Sequence, residues 1–267
     1  MTDPLPPPVD RAAAADFLAS LFGDVRRSEV EPIGAGAWSR AYRFSRRGRD
    51  YVVRFAALRE DFERDRIAAE FASAALPVPR TVDIGEAFGG YYTITDRRSG
   101  DFLEDADGTQ MRRVLPALFA ALDAARCVDL SASTGYGTVE EDGNALYPSW
   151  QAALLDIARD DAGQRTHGWR ERLRTSEYGL AAFDAAYARM ASLASRCPND
   201  RHVIHSDLLN RNVFVAGGCI TGVIDWGTLS HDRVDTYVLS VWRTSTSVAY
   251  TNKLACAGGS CRGRRGA

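Results

Sequence analysis

Apolar positions in the first third of the chain form short runs separated by polar or glycine-rich turns. The spacing predicts a helix over Arg11–Phe22, with Asp10 as its N-cap and Gly23 at its end. Strand-like runs flank the segment IGAGAWSRAYRF, and a third run at 51–56 is rich in the β-branched and aromatic residues that favour strands. This part of the chain is therefore expected to begin with a helix and continue as antiparallel strands.

One charged helix is predicted to interrupt these strands. The segment 61–75 is rich in alanine and ends at LPVP, whose prolines cannot continue a helix. Two further strands, TVDIGEAF and YYTITD, are predicted to form a hairpin about Gly89 and Gly90. The pattern up to residue 96 thus indicates a mainly antiparallel sheet with an inserted helix.

Helical periodicity dominates the next part of the chain. Apolar residues recur at spacings of three and four residues in the segments 109–129, 148–160 and 176–196. Short strands return at 212–215 and 219–224, where Gly217 and Gly218 predict a second hairpin. The interpretation is an α+β fold of two lobes, with a small antiparallel-sheet N-lobe at 1–96 and a mainly helical C-lobe at 97–243. The remaining segment, 244–267, has little periodicity and is predicted to be a poorly ordered, degenerate tail.

Composition narrows the class of protein. The chain has 267 residues, 45% hydrophobic and 25% charged, as is typical of globular proteins. A net charge of −2 argues against a dedicated nucleic-acid binder and against electrostatic docking to a membrane. No apolar run approaches the roughly 20 residues that cross a bilayer, and the first residues lack a secretory signal. We therefore expect a cytoplasmic protein that binds neither nucleic acid nor membrane.

The basic residues and cysteines restrict the chemistry further. Lys253 is the only lysine among 33 basic residues, and no G-x-x-x-x-G-K-[ST] phosphate loop is present. A phosphate or carboxylate partner must therefore be met by arginine, backbone N–H groups or a metal ion. The five cysteines are scattered without a C-x-x-C pair, which predicts reduced thiols rather than a disulfide or zinc framework.

A group of polar residues interrupts the apolar runs in RHVIHSDLLNRNVFVAGGCITGVIDW. Asp207 is followed five residues later by Asn212, and Asp225 comes thirteen residues after that, at a strand end. Phosphoryl transfer needs a carboxylate that orients the attacking hydroxyl and oxygen ligands for the Mg²⁺ that bridges the phosphates. The order of residues therefore predicts Asp207 as the catalytic base, and Asn212 and Asp225 as magnesium ligands. His205 is expected to brace this loop by packing and hydrogen bonding.

A glycine turn in the first lobe is a candidate phosphate cradle. Gly34 and Gly36 lack the third glycine of G-x-G-x-x-G, so a simple tight turn is an equal alternative for this motif alone. Their place between two strands, 20 residues before Arg54, favours the cradle. Backbone N–H groups there would approach a triphosphate, with Ser39 or Arg40 as further donors.

The segments FASAALPVPRTVDIGE, HSDLLNRNV and ITGVIDW resemble the aminoglycoside phosphotransferase family, in particular its members that act on hygromycin B. The resemblance covers about 17–241. It implies a protein-kinase-like fold, ATP as donor, Mg²⁺ as cofactor and a hydroxyl of an aminoglycoside-type antibiotic as acceptor. It also implies that Thr95, Asp96 and the residues that follow contact the adenine.

The sequence departs from the family pattern in two places. Arg54 stands where typical members carry a lysine; it would still pair with phosphate oxygens, though its planar fork differs from an ammonium. For the acid that orients Arg54, Asp65 and Glu70 are candidates, but Glu63 is preferred from its distance to LPVP. The sequence keeps Asp232, but the family pattern dissolves near Arg243, which predicts a truncated C-terminus, natural or out of frame, and an incomplete acceptor pocket.

The leading hypothesis is a monomeric, ATP-dependent antibiotic O-phosphotransferase that confers resistance. A second hypothesis keeps the phosphotransferase but takes another alcohol, such as a macrolide, choline or a sugar. A third hypothesis is a nucleotide-binding remnant without activity.

Overall fold

The computed structural model describes residues 7–36, 38–163, 166–197, 200–208 and 210–232. The first part of the chain supplies the strands β1 Glu31–Ala35, β2 Ser39–Arg46, β3 Arg49–Ala56, β4 Thr81–Ala87 and β5 Gly90–Asp96. They form one antiparallel sheet in the order β1-β2-β3-β5-β4. The predicted hairpin about Gly89 is β4-β5, and the predicted antiparallel sheet is confirmed.

Helix α1, Arg11–Phe22, packs against this sheet and has the predicted bounds. The carboxylate of Asp10 accepts a backbone N–H of the first turn at 2.8 Å, and Gly23 ends the helix with φ of 69°, a left-handed conformation that glycine adopts without strain. Phe17 meets Phe55 edge-on, with 5.5 Å between ring centroids. The helix thus closes the hydrophobic cluster of the N-terminal sheet.

Helix α2 spans Glu60–Glu70 and therefore ends before residue 75, where the sequence pattern had placed its end. Ser73 explains the early end, because its hydroxyl accepts the backbone N–H of Leu76 at 3.1 Å and its own N–H donates to the Leu76 carbonyl at 2.9 Å. A serine side chain that offers the backbone such a local partner competes with helix continuation.

The rest of the described chain combines helices with two small sheets. The helices are α3 Gly108–Arg126, α4 Trp150–Asp156, α5 Trp169–Thr175 and α6 Ala181–Ala194. The strands are β6 Asp101–Phe102, β7 Tyr136–Val139, β8 Ala145–Tyr147, β9 His202–Ile204, β10 Val213–Ala216, β11 Cys219–Val223 and β12 Ser230–Asp232. They form sheets in the orders β11-β10-β6 and β8-β7-β12-β9.

Three predicted helices correspond to α3, α4 and α6, and the predicted second hairpin is β10-β11. The sequence pattern missed the short helix α5 and the strand pair β7-β8. That pair depends on a close backbone approach: Gly135 has φ of 81°, and a Cβ there would lie 1.9 Å from the carbonyl oxygen of Ala145. Only glycine fits such a position.

Two buried clusters organise the molecule. One lies between α1 and the five-stranded sheet, and the other joins α3 to the strands around the second hairpin. Ile67 and Ala68 of α2 belong to the second cluster, although they precede residue 96. The division of the chain at residue 96 stays a prediction, and α2 packs across it.

The remaining predictions concern cysteines, membrane segments and the tail. Cys197 and Cys219 are free thiols as expected, whereas Cys127 is disulfide-bonded, which the sequence interpretation did not anticipate. In the part of the chain that the structure describes, no helix combines the length and apolar character that a bilayer span requires. The predicted tail and Lys253 lie outside the described residues.

Candidate active site

The loop after β9 begins with a fully buried histidine. The Nε2 of His205 lies 2.8 Å from the carbonyl oxygen of Ile224 and donates to it, and the imidazole packs on Trp226 with 4.4 Å between ring centroids. Burial lowers the pKa of His205, so the ring stays neutral at physiological pH. His205 therefore braces the loop against the second hairpin, as expected.

Asp207 and Asn212 are joined directly. The amide nitrogen of Asn212 donates to the backbone carbonyl of Asp207 at 2.8 Å and lies 3.5 Å from its carboxylate Oδ2. The carbonyl of Asn212 in turn accepts the N–H of Ile224 at 2.9 Å, one residue before Asp225. The loop and the strand end that carry the three predicted residues are thus hydrogen-bonded to each other.

Asp225 sits at a strained turn that faces the N-terminal sheet. Its φ of 66° is uncommon for a residue other than glycine. Its exposed carboxylate lies 3.7 Å from Nη1 of Arg54 on β3. The predicted metal ligand and the predicted phosphate-binding cation therefore face each other across the junction of the sheet and the second hairpin.

The acid that orients Arg54 is Asp65, not Glu63. The guanidinium Nη2 contacts Oδ2 of Asp65, while Glu63 is taken up by Arg59 at 2.9 Å and Arg66 at 2.8 Å. Two positions along an α-helix differ by about 200° in direction, so 63 and 65 point to opposite sides of α2. The preference for Glu63 was wrong because it ignored this helical phase.

The Arg54–Asp65 pair also holds the turn that carries Asp225. The other oxygen of Asp65, Oδ1, accepts the backbone N–H of Trp226 at 2.8 Å, next to Asp225. Burial opposes the charge of Arg54, but the carboxylates of Asp65 and Asp225 outweigh that effect and raise its pKa. Arg54 is therefore a fixed cation in the site.

A cleft of about 420 Å³ opens between the sheet and the second hairpin. Its lining includes five of the predicted site residues: Gly34, Arg54, Thr95, Asp96 and Asp225. Glu63, Gly36 and Ser39 are not part of the lining. Asp207 and Asn212 are not part of the lining either. Asn212 is nevertheless hydrogen-bonded to Ile224, which does line the cleft.

The glycine turn differs in part from the prediction. The N–H of Gly36 donates to the carbonyl of Ser39 at 3.0 Å, and Nη1 of Arg40 donates to the carbonyl of Gly36 at 2.8 Å. Gly36 therefore uses its N–H within the hairpin, and Arg40 folds onto the turn. Gly34 is the glycine that borders the cleft, where a Cβ would meet nothing within 4 Å.

The sequence interpretation missed the apolar walls of the cleft. Side chains from both sides of the opening line it: Ile33, Ala41, Val52, Val78, Phe102, Phe214 and Ile224. The rings of Phe102 and Phe214 are stacked with 4.5 Å between centroids. Such walls suit a flat aromatic group. Ile33, Ala41, Val52 and Phe214 lie on strands that the sequence predicted without indicating which face was inward.

The oxygen donors of the site fit a magnesium ion. Asn212 uses its amide nitrogen toward Asp207, which leaves the amide oxygen for a metal, and Asp225 offers an exposed carboxylate. Within the described residues no group of three or more His, Cys, Asp or Glu side chains could hold a metal. Mg²⁺ does not need one, because it keeps several waters and binds through one or two carboxylates together with substrate phosphates.

Known proteins match this chain over most of its length. Residues 29–248 match the phosphotransferase enzyme family (APH). A hygromycin-B 4-O-kinase of Escherichia coli is 32% identical over 222 residues, which are 82% of this chain and 63% of that protein. The chain thus spans less than two thirds of the length of this curated relative.

Solved structures agree with this relationship. A thermostable mutant of aminoglycoside phosphotransferase APH(4)-Ia, in ternary complex with AMP-PNP and hygromycin B, has a TM-score of 0.75 and 32% identity and covers 83% of this chain and 73% of its own. ADP-bound APH(2'')-Ib, at 14% identity and a TM-score of 0.56, covers 87% of this chain and 75% of its own, and shares the fold. The predicted two-lobed, protein-kinase-like α+β fold is confirmed, and the chain belongs to the APH phosphotransferase family.

Proposed function

We propose that the chain transfers the γ-phosphate of ATP to a hydroxyl group of an aminoglycoside antibiotic of the hygromycin B type, and thereby confers resistance. The observation that carries this proposal is that Asp225 faces Arg54 in the cleft, while Asn212 joins the loop of Asp207 to Ile224, directly before Asp225. The names of the relatives, a hygromycin-B 4-O-kinase and a phosphotransferase in complex with hygromycin B, support the choice of acceptor.

In this proposal the nucleotide occupies the cleft between the sheet and the second hairpin. The apolar walls enclose the adenine beside Thr95 and Asp96, while Arg54 and the backbone at Gly34 meet the phosphates. The carboxylate of Asp96 is engaged by the Arg80 side chain at 3.1 Å, and its N–H donates to the Arg80 carbonyl at 3.0 Å, so neither group is free to bind the base. Arg54 is pre-oriented by Asp65, which reduces the cost of organising charge in the transition state.

Asp207 accepts or orients the proton of the attacking hydroxyl, and Asn212 keeps that carboxylate beside the second hairpin. Asn212 and Asp225 would hold Mg²⁺, which when bound neutralises charge on the phosphates. The protein's own contribution is positioning and charge complementarity, with no covalent step on the chain.

We further propose that the protein acts as a monomer in the cytoplasm, where ATP is available. The net charge of −2 supports a small-molecule acceptor rather than nucleic acid.

An ADP-release assay on the purified 267-residue chain tests the proposal. The panel consists of hygromycin B, another aminoglycoside, a macrolide, choline and a hexose, each with ATP and Mg²⁺. We expect ADP release that depends on hygromycin B or another aminoglycoside. Release with only choline, the macrolide or the sugar would replace the acceptor, and ATP-dependent thermal stabilisation without any turnover would contradict the enzymatic role.

A further inference from the structure

A chain of three side chains leads from the loop of Asp207 into the protein interior. The Oγ atoms of Ser206 and Ser230 are 2.6 Å apart, and Ser230 donates to Oδ2 of Asp232 at 2.9 Å. Ser206 directly precedes Asp207, while the other two residues lie on β12. None of the three takes part in the function proposed above.

The donor and acceptor of each hydrogen bond in this series follow from Asp232, the residue at its interior end. A serine hydroxyl has one proton to donate, and that of Ser230 goes to the carboxylate of Asp232. Ser206 must therefore donate its proton to Ser230. Because the final acceptor is charged when ionised, the hydrogen bonds are stronger than those between neutral hydroxyls alone.

Asp232 is a fixed anchor for the chain. It is buried, and its second oxygen accepts the backbone N–H of Gly137 on β7 at 3.3 Å. Strand β12 pairs with both neighbouring strands, and Ser230 lies opposite Ile204 of β9. Burial raises the pKa of Asp232 to about 6, so the carboxylate is mostly ionised at neutral pH.

The loop itself needs such an anchor. Ser206 has φ of 60°, a left-handed conformation that is strained for a residue other than glycine. The peptide before it is also held, because the hydroxyl of Thr228 donates to the carbonyl of His205 at 2.8 Å. Rotation at Ser206 would turn the next residue, Asp207, away from the hairpin that carries Asn212.

We propose that Ser206 is a positioning residue whose hydrogen bond through Ser230 to Asp232 fixes the strained turn that aims Asp207. Its effect on turnover rests on the proposed phosphotransferase function, but its effect on the loop does not. A glycine would adopt this left-handed conformation without strain. In this chain the hydrogen bond of the Ser206 hydroxyl stabilises the conformation instead.

The test compares Ser206→Ala, Ser230→Ala and the double variant with the wild-type chain. Ser133→Ala is the matched control, since that hydroxyl also makes one hydrogen bond, to the Leu130 carbonyl at 3.1 Å, away from the loop. We expect faster amide hydrogen exchange at 205–208 in the three variants and not in the control. We also expect kcat about two- to tenfold lower, the loss of one hydrogen bond, with KM for ATP unchanged. The double variant should lose no more kcat than either single variant. Ser230→Thr, which keeps a hydroxyl at this position, should have the kcat of the wild type.

Wild-type exchange at 205–208 in Ser206→Ala and Ser230→Ala would overturn the positioning role, whether or not the chain turns over substrate. Additive losses in the double variant would overturn it as well, because the two hydroxyls would then act separately. Absence of turnover in the wild-type chain would instead contradict the proposed function, and the exchange comparison would still decide the role of Ser206.

Discussion

Asp65 serves two parts of the cleft with its two carboxylate oxygens. One oxygen contacts the guanidinium of Arg54, and the other accepts the N–H of Trp226 at 2.8 Å. The first contact orients the cation that we place at the phosphates, and the second fixes the turn that carries Asp225. The sequence predicted the cation and the carboxylate at the strand end, but it named Asp65 only as one candidate for the acid that orients Arg54.

Removal of Asp65 is expected to cost far more stability than removal of Glu63. Asp65→Ala leaves the guanidinium of Arg54 without its contacting carboxylate and with the more distant Asp225 and Asp61, which should lower the free energy of unfolding by about 3–5 kcal/mol. Glu63→Ala is the matched control on the same helix, and its pairs with half-exposed arginines are worth less than about 1 kcal/mol. Urea unfolding of both variants checks this, and equal losses would contradict the assignment of Asp65.

His231 and Asp232, adjacent on β12, titrate in opposite senses. Burial lowers the pKa of His231 to about 4, and its ring nitrogens have no hydrogen-bond partner among the described residues. Burial raises the pKa of Asp232 to about 6. Below pH 6.5 this histidine binds a proton in the unfolded chain but not in the folded one. It therefore lowers the free energy of unfolding as the pH falls. Asp232 has the opposite effect, because its folded form binds the proton more tightly.

Replacing His231 should therefore expose the effect of Asp232. When the pH falls from 7 to 5, the free energy of unfolding of His231→Leu should end about 2 kcal/mol higher, relative to its value at pH 7, than that of the wild type. Denaturant titrations at the two pH values measure this difference. An unchanged pH dependence would mean that His231 is protonated as easily in the folded chain as in the unfolded one.

A second arginine, Arg64, joins helix α2 to β7 and to the turn after the second hairpin. Nε of Arg64 donates to the carbonyl of Val139 on β7 at 2.8 Å, and Nη1 donates to the carbonyl of Gly227 at 3.1 Å. Gly227 lies two residues after Asp225, so the helix holds the turn of Asp225 on two sides, through Arg64 and through Asp65. The position of α2 therefore sets the geometry between Arg54 and Asp225.

Loss of Arg64 is expected to loosen that turn. Arg64→Met removes both donors, so amide exchange at 226–229 should become faster, because backbone segments that lose their fixed partners open more often. Arg66→Met is the control, since within the described part of the chain Arg66 pairs with Glu63 and Glu70 of its own helix. Identical exchange in both variants would show that α2 does not hold the turn.

Long elements whose ends are marked by nearby residues could be predicted from the sequence, whereas short elements stabilised by distant contacts could not. The helix Arg11–Phe22 was predicted to the residue because Asp10 and Gly23 mark its ends locally. The strand pair β7-β8 and the seven-residue helix α5 were missed, since their sequences are short and their stability comes from distant contacts.

The candidate site shows the same division. Asp207, Asn212 and Asp225 could be predicted because fixed spacing and residue type indicate their chemistry. Asp65 required the phase of a helix against a sheet, and the apolar walls of the cleft required the inward face of each strand. Both are properties of tertiary packing, which spacing along the chain does not contain.

The whole molecule places a small sheet and a larger helical part on two sides of one cleft. Arg54 and Gly34 approach that cleft from the sheet, and Asp225 approaches it from the second hairpin. Phosphoryl transfer requires this convergence, because its catalysis is mostly the positioning of charge around the phosphates. We propose that Arg54, Gly34 and Asp225 act together on a phosphoryl group.

Transfer of labelled γ-phosphate from ATP to hygromycin B by the purified chain measures that claim most directly. We expect labelled antibiotic with the wild-type chain and Mg²⁺, and about 10²–10⁴-fold slower labelling with Asp207→Asn, the usual range for loss of a positioned proton acceptor. Labelling by Asp207→Asn at the wild-type rate, or an unlabelled antibiotic with the wild-type chain, would contradict the account.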